Sequence, residues 1–392
     1  MNKNSRKFIP YGRHEVHETD INEVINVLRN KNLTQGGVSK DFEEAIAKKV
    51  ASKYCVVVNS ATSALHLACL AIGLKSNDIL WTSPNSFVAS ANCGAYVGAN
   101  VDFVDIEPST GLMSINKLIE KLKIAEIENK LPKVIIPVHL AGAVCEMEKL
   151  YGLSKVYNFK IIEDASHAIG AKYNRENVGN CRYSDITVFS FHPVKIITSG
   201  EGGCITTNSK EIAQIIYKLR THGITKNVED FENPSQGGWA YEQQLLGFNY
   251  RMSDIHAALG LSQLKRLESI VRERNKQLSL YKKLLKGLPI KFLEIPSNVY
   301  SSVHLAIIRL ENKSEKFHRL LYEKLIKNNL GVQIHYLPIH LQPYYRKKGF
   351  SEGDFPEAEE YAKNAISLPL YVGLSEQDQI RIANTLKGLL CP

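Results

Sequence analysis

Lys195 lies in the run Phe189-Ser190-Phe191-His192-Pro193-Val194-Lys195-Ile196-Ile197-Thr198-Ser199-Gly200-Glu201-Gly202-Gly203, and thirty-one residues before it an apolar stretch ends in Glu163-Asp164. A carboxylate at a strand end upstream and a glycine-rich turn downstream point to a partly buried site, where a lysine can act as a Schiff-base nucleophile. A lysine taken alone is as readily a solvated surface charge, so the reading depends on its company. Asn59-Ser60-Ala61-Thr62-Ser63-Ala64-Leu65 supplies hydroxyls and backbone N–H groups at the start of a helix, the makings of a phosphate site. The same residue types make an ordinary helix N-cap. Glu163-Asp164-Ala165-Ser166-His167-Ala168 offers a carboxylate able to keep a pyridinium nitrogen protonated, or else a cap for the helix that follows.

These residues need a scaffold that holds them at strand ends. Short apolar runs at Tyr54–Val58, Ile79–Trp81, Val101–Val104, Val134–Val138, Lys160–Ile162 and Ile186–Phe189 read as strands, and helical spacing fills segments such as Ala61–Ile72 and Ile115–Leu122. The alternation predicts an α/β fold with a largely parallel sheet, whose ligands bind at the carboxyl ends of the strands. Asn59, Pro84, His139, Asp164 and Phe191 fall just beyond those ends. From Ser253 to about Leu285 the pattern is one long helical stretch, read as the link to a second domain. Beyond it come a strand over Val303–Leu310, a helix over Lys316–Asn328 and a strand over Val332–Tyr336. A tail from Phe355 to Leu389 is helical at both ends and divided by Ile366–Leu370. The expected division is a large domain over residues 1–252 and a linking helix with a smaller α/β domain over 253–392.

Composition narrows the class. The 392 residues are 44% hydrophobic and 23% charged, as in a soluble globular chain with a large core. No apolar run approaches the roughly 20 residues of a membrane span, and the basic start Met1–Lys7 lacks the apolar core of an export signal, so a cytoplasmic protein without membrane association is expected. Seven scattered cysteines without a Cys-x-x-Cys pair support neither a disulfide framework nor a metal site and read as small buried hydrophobes. The net charge of +9 is spread along the chain rather than gathered in one tract with interleaved aromatics, as nucleic-acid binding would favour, and a modest positive field equally suits an anionic small substrate; charge alone does not choose, and no nucleic-acid partner is expected.

A phosphate turn, then an aspartate, then Ser-x-x-x-x-Lys is far more specific than any one part, and in this order the three resemble fold-type I enzymes that use pyridoxal phosphate. More narrowly, the chain resembles the DegT/DnrJ/StrS family of sugar aminotransferases nearly from end to end. The resemblance is carried by Ile9–Gly12, Leu33–Gly36, Asn59–Leu65, Ser83–Ala89, Glu163–Ala168, Phe189–Lys195, Gly247–Met252 and Ile366–Pro369. Asn59–Leu65, His192–Lys195 and Gln333–Tyr336 are most similar to the branch that aminates C4 in pseudaminic acid synthesis.

The resemblance implies that Lys195 holds the cofactor and then moves a proton, that Asp164 pairs with the pyridinium nitrogen, and that His167 lies beside the ring oxygen. It implies Thr62, Ser63 and Ser190 at the phosphate, Phe87 stacked on the ring, and Asn249 reaching the phosphate of a neighbouring subunit, hence a homodimer with shared sites. Tyr11, His335 and Tyr336 are weaker candidates for touching substrate. The implied reaction is ping-pong transfer from glutamate to C4 of a UDP-linked 4-keto-6-deoxy-N-acetylhexosamine. Alternatives are another nucleotide-linked keto sugar, aminated at C3 or carrying dTDP, and a non-catalytic regulator that binds pyridoxal phosphate. A deoxygenating branch carries histidine in place of the lysine; here Lys195 is present, and His192 does not replace it.

Overall fold

The computed structural model describes residues 7–233 and 237–391; the basic start through Arg6 lies outside them. Seven strands form the central sheet: β1 Tyr54–Val58, β2 Ile79–Thr82, β3 Asn100–Phe103, β4 Val134–Ile136, β5 Lys160–Asp164, β6 Ile186–Ser190 and β7 Gly203–Thr207, in the order β1-β7-β6-β5-β4-β2-β3. Every pairing is parallel except the two made by β7, which runs antiparallel between β1 and β6. β-branched residues fill the strands because both faces are covered. Successive residues alternate between two cores, Cys55 and Val57 facing one, Val56 and Val58 the other. Six of the helices are started by serines: Ser60, Ser114, Ser209, Ser253, Ser314 and Ser375 each accept a backbone N–H through the side chain.

A third core gathers Leu278, Tyr281, Ile308, Leu325, Ile366 and Ile382 behind a three-stranded antiparallel sheet of Ile290–Phe292, Ala306–Leu310 and Ala365–Leu368. Ile9, from the beginning of the chain, packs into it and bridges Leu330. Arg274, buried on the helix Leu267–Leu284, donates through Nη1 to the carbonyls of Val303 (3.3 Å), His304 (3.2 Å) and Leu370 (3.2 Å). Burial pushes its guanidinium down to about 10.

Several expectations need correction. The stretch Ser253–Leu285 is two helices, Asp254–Leu264 and Leu267–Leu284, joined by a turn at Lys265–Arg266 from which the Arg266 guanidinium reaches buried Asp20 at 2.5 Å. The strand expected over Val332–Tyr336 is a loop with one bridge, Gln333 to Ser367. Its polar groups are spent elsewhere: the Tyr336 N–H donates to Asn85 Oδ1, and the His335 ring bonds Ser367 Oγ. The strand begins at Ala306, not Val303, which leaves His304 in a loop. β7 lay hidden in the glycine-rich turn. Cys391 is exposed, unlike the six buried cysteines. Among the described residues no helix is long and apolar enough to cross a membrane.

Candidate active site

At the carboxyl ends of β5 and β6 lies a cavity of about 310 Å³ whose wall includes Asp164, Ser190 and Lys195. The lysine rides on the turn between β6 and β7, which is closed at its base: Phe191 N–H donates to Gly202 O at 2.9 Å, and Ser199 N–H to Phe191 O at 3.0 Å. Burial disfavours the Lys195 ammonium and pulls it down to about 8, against the pull of Asp164. The neutral amine is therefore a minor form at pH 7, though far commoner than for an ordinary lysine, and it becomes the major form above about 8.

Opposite the lysine turn, the helix Ala61–Ala71 points its first residues at the same cavity, and Ser60, Ala61 and Thr62 line it. Its unpaired N-terminal N–H groups and positive dipole end favour an anion. Gly203 permits this approach: a Cβ there would stand 2.6 Å from Ala61 N and 2.7 Å from Ser60 C.

Asp164 is buried and held at both oxygens. Ser90 Oγ donates to Oδ2 at 2.6 Å, with Ser86 Oγ 2.8 Å behind it, and the Ser166 N–H donates to Oδ1 at 3.1 Å. Beneath it, the buried His139 ring meets Glu163 Oε2 at 2.8 Å, while Glu163 Oε1 accepts from Thr187 at 2.9 Å and from Ser184. The Cys145 N–H donates to His139 Nδ1 at 3.3 Å, which leaves the ring's one N–H at Nε2, facing Glu163. The Glu163 carboxyl lies below its ordinary range, burial being outweighed by His139 and the two hydroxyls.

The remaining wall comes from loops around the third core. Tyr11, His304, His335 and Tyr336 face the cavity beside His167. Burial drives all three of these histidines toward the neutral form, with the Lys195 charge adding to it, and His335 is pulled down to about 3. Burial likewise raises the hydroxyl of Tyr11. Phe87, 57% exposed, lines the cavity as well, its ring centroid 6.3 Å from that of Tyr336.

The structure thus brings Lys195, Asp164, His167, Thr62, Ser190, Phe87, Tyr11, His335 and Tyr336 to one cavity. It does not bring Ser63 or Asn249 there. The Ser63 hydroxyl is spent on Asn59 Oδ1 at 2.6 Å, inside the helix cap. Asn249 is exposed, next to the hairpin of Ile224–Thr225 and Glu242–Gln243. Ser90 and His304 were not picked out from sequence. The helical spacing from Ser86 to Ser90 was available as a signal; His304 carried none, sitting inside an apparent strand.

An anion cradle at a helix N-terminus, a lysine of lowered basicity and a buried carboxylate across one cavity fit the phosphate, carbonyl and ring nitrogen of pyridoxal phosphate. The chain is 35% identical over 97% of its length, and 97% of the other's, to UDP-4-amino-4,6-dideoxy-N-acetyl-beta-L-altrosamine transaminase of Campylobacter jejuni. PseC of Helicobacter pylori, an aminotransferase involved in pseudaminic acid biosynthesis, superposes with a TM-score of 0.89 at 30% identity, covering 98% of this chain and 99% of that one. Spr1654 of Streptococcus pneumoniae, a candidate sugar aminotransferase solved in a PLP-form, superposes at 0.88 with 30% identity over 97% and 98% of the two chains. The family model of the DegT/DnrJ/EryC1/StrS aminotransferases matches residues 14–387, so that a cavity built for pyridoxal phosphate sits in a chain that belongs to this family from one end to the other.

Proposed function

We propose that the protein moves an amino group from glutamate to C4 of a UDP-linked 4-keto-6-deoxy-N-acetylhexosamine, in a route of the pseudaminic acid type, as a cytoplasmic homodimer with shared sites. The observation that carries this reading is the one cavity lined by Lys195, lowered to about 8, together with Asp164, Thr62 and Ser190. When bound, pyridoxal phosphate supplies a carbonyl for the lysine and an electron sink for the pair released from the donor's α-carbon.

The chain's own residues do the rest. Thr62, Ser190 and the first N–H groups of the helix Ala61–Ala71 hold the phosphate. Asp164, fixed by Ser90 and the Ser166 N–H, faces the ring nitrogen and keeps its proton in place. Phe87 covers one ring face. Lys195 Nζ would hold the cofactor and, once free as an amine, would take the proton from the donor's α-carbon and return one to the substrate carbon that is aminated. The hairpin beside Asn249 exposes Trp239 (79%) and Leu246 (84%), an apolar surface suited to a second copy of this chain, which would set Asn249 at the partner's phosphate.

The test is the visible absorption of the loaded protein through addition of glutamate, then of UDP-4-keto-6-deoxy-N-acetyl-altrosamine. Bleaching by glutamate and recovery with the sugar are expected. Bleaching without recovery rejects this sugar in favour of another nucleotide-linked keto sugar, and a protein that takes up no chromophore overturns the cofactor. Lys195→Ala is expected to lose transfer altogether; full activity in that variant rejects the reading.

A further inference from the structure

The wall of the cavity contains a hydrogen-bond chain whose direction is fixed by the backbone. The Ala141 N–H donates to His167 Nδ1 at 3.3 Å, and His167 Nε2 lies 3.2 Å from the Tyr336 hydroxyl. A peptide N–H can only donate, so Nδ1 carries a lone pair. The ring is neutral, since burial, then the charge of Lys195, hold it well below its ordinary range. A neutral imidazole has one N–H, which must then be at Nε2. It follows that His167 donates to Tyr336 Oη and that the tyrosine keeps its own O–H to give away. Among the described residues no other side chain or backbone group bonds that hydroxyl, and Tyr336 lines the cavity.

Both ends of the chain are anchored. The His167 carbonyl accepts from Ser302 Oγ at 2.7 Å, and the Tyr336 N–H donates to the buried Asn85 at 3.0 Å. Burial, then the nearby Asp164 charge, raise the phenol far above its ordinary range, so it remains a donor throughout the working pH range. With both nitrogens of His167 engaged, the imidazole has no proton left for a ligand in the cavity.

We infer that Tyr336 is the catalytic hydrogen-bond donor to a reacting oxygen in this cavity, either the ring oxygen of the cofactor or the carbonyl oxygen of the keto substrate, and that His167 acts through Tyr336 as a positioning residue. This rests on the aminotransferase reading. The donated hydrogen bond stabilises negative charge as it gathers on that oxygen.

Tyr336→Phe removes only the hydroxyl. If the acceptor is the ring oxygen, the pH titration of the visible band of the loaded, substrate-free protein shifts by about one unit, the scale of one lost hydrogen bond. If the acceptor is the substrate carbonyl, that titration stays put and single-turnover amination of the keto sugar falls about a hundredfold. Either result supports the donor, and a variant matching wild type in both overturns it. His167→Gln, which keeps an acceptor and a donor, is expected to retain most of the signal, whereas His167→Leu reproduces Tyr336→Phe. An independent readout is the ¹⁵N spectrum of the histidine-labelled apoprotein, with His167 assigned by its loss in His167→Gln. A neutral ring protonated at Nε2 is expected, and one protonated at Nδ1 overturns the inference even if the enzyme is active. Failure of wild-type protein to bleach with glutamate would instead sink the aminotransferase reading, which the ¹⁵N result does not depend on.

Discussion

Lys195 owes its chemistry to its surroundings, because the cavity that desolvates it also lowers the pH at which its amine is free. Capture of pyridoxal phosphate by the apoprotein is expected to accelerate as pH rises toward about 8 and to level off above it, as stopped-flow absorbance would show. A rate indifferent to pH across that range would mean the amine is not the titrating group. His139 and Glu163 make a contrasting case. The Cys145 N–H donates to His139 Nδ1 at 3.3 Å, so the ring keeps a single N–H, at Nε2, and gives it to Glu163. Glu163 is lowered, so its contribution is present above about 4.5, the carboxyl's ordinary value, and is lost in acid. His139→Leu would strand a buried carboxylate and is expected to cost about 3–5 kcal/mol in denaturant unfolding at neutral pH. Lys195, Asp164 and Thr62 were legible from sequence because each stands just after an apolar run that ends a strand. Ser90 and His304 were not, since nothing local says that a helix serine lies under a distant carboxylate or that a strand begins three residues late.

Among the elements, β7 decides how the cavity is built. By running antiparallel between β1 and β6 it returns the lysine turn to the strand that feeds the phosphate helix, so both are held in one hydrogen-bonded sheet. Gly203, its first residue, sits against the start of that helix. Gly203→Ala must push the helix terminus aside, and we expect a loss of about 1–3 kcal/mol in stability. A tenfold or greater weakening of pyridoxal phosphate retention in equilibrium dialysis should accompany it. Gly152→Ala, whose Cβ would meet nothing within 4 Å, serves as the control. The parallel strands were readable because buried runs of Val and Ile have few other uses. β7 escaped notice because it begins in a glycine turn, and Val332–Tyr336 misled because an apolar, β-branched loop imitates a strand until its donors are traced to side chains.

The exposed hairpin bearing Trp239 and Leu246 and the distance of Asn249 from its own cavity carry a prediction about assembly. If sites are shared, Lys195→Ala and Asn249→Ala, each nearly inactive alone, should complement when unfolded and refolded together, giving about a quarter of wild-type activity, because half the dimers hold one intact site. Absence of complementation would place every required group in one chain. Dilute Trp239→Ser/Leu246→Ser protein should run as a monomer in sedimentation velocity. Sequence gave no access to this scale beyond the family resemblance, since exposure of an aromatic is a property of the fold.

Arg274 offers one more consequence. Its guanidinium meets three loop carbonyls and, among the described residues, no carboxylate, so the loop carrying His304 is tied to a long helix rather than to anything in the cavity. That wall should therefore keep its shape whether or not a ligand is present. In hydrogen–deuterium exchange, the amide of His304, bonded to Ala141 O at 2.8 Å, should be equally slow in apo and loaded protein, leaving the adaptation to ligand to the Phe87 side of the mouth.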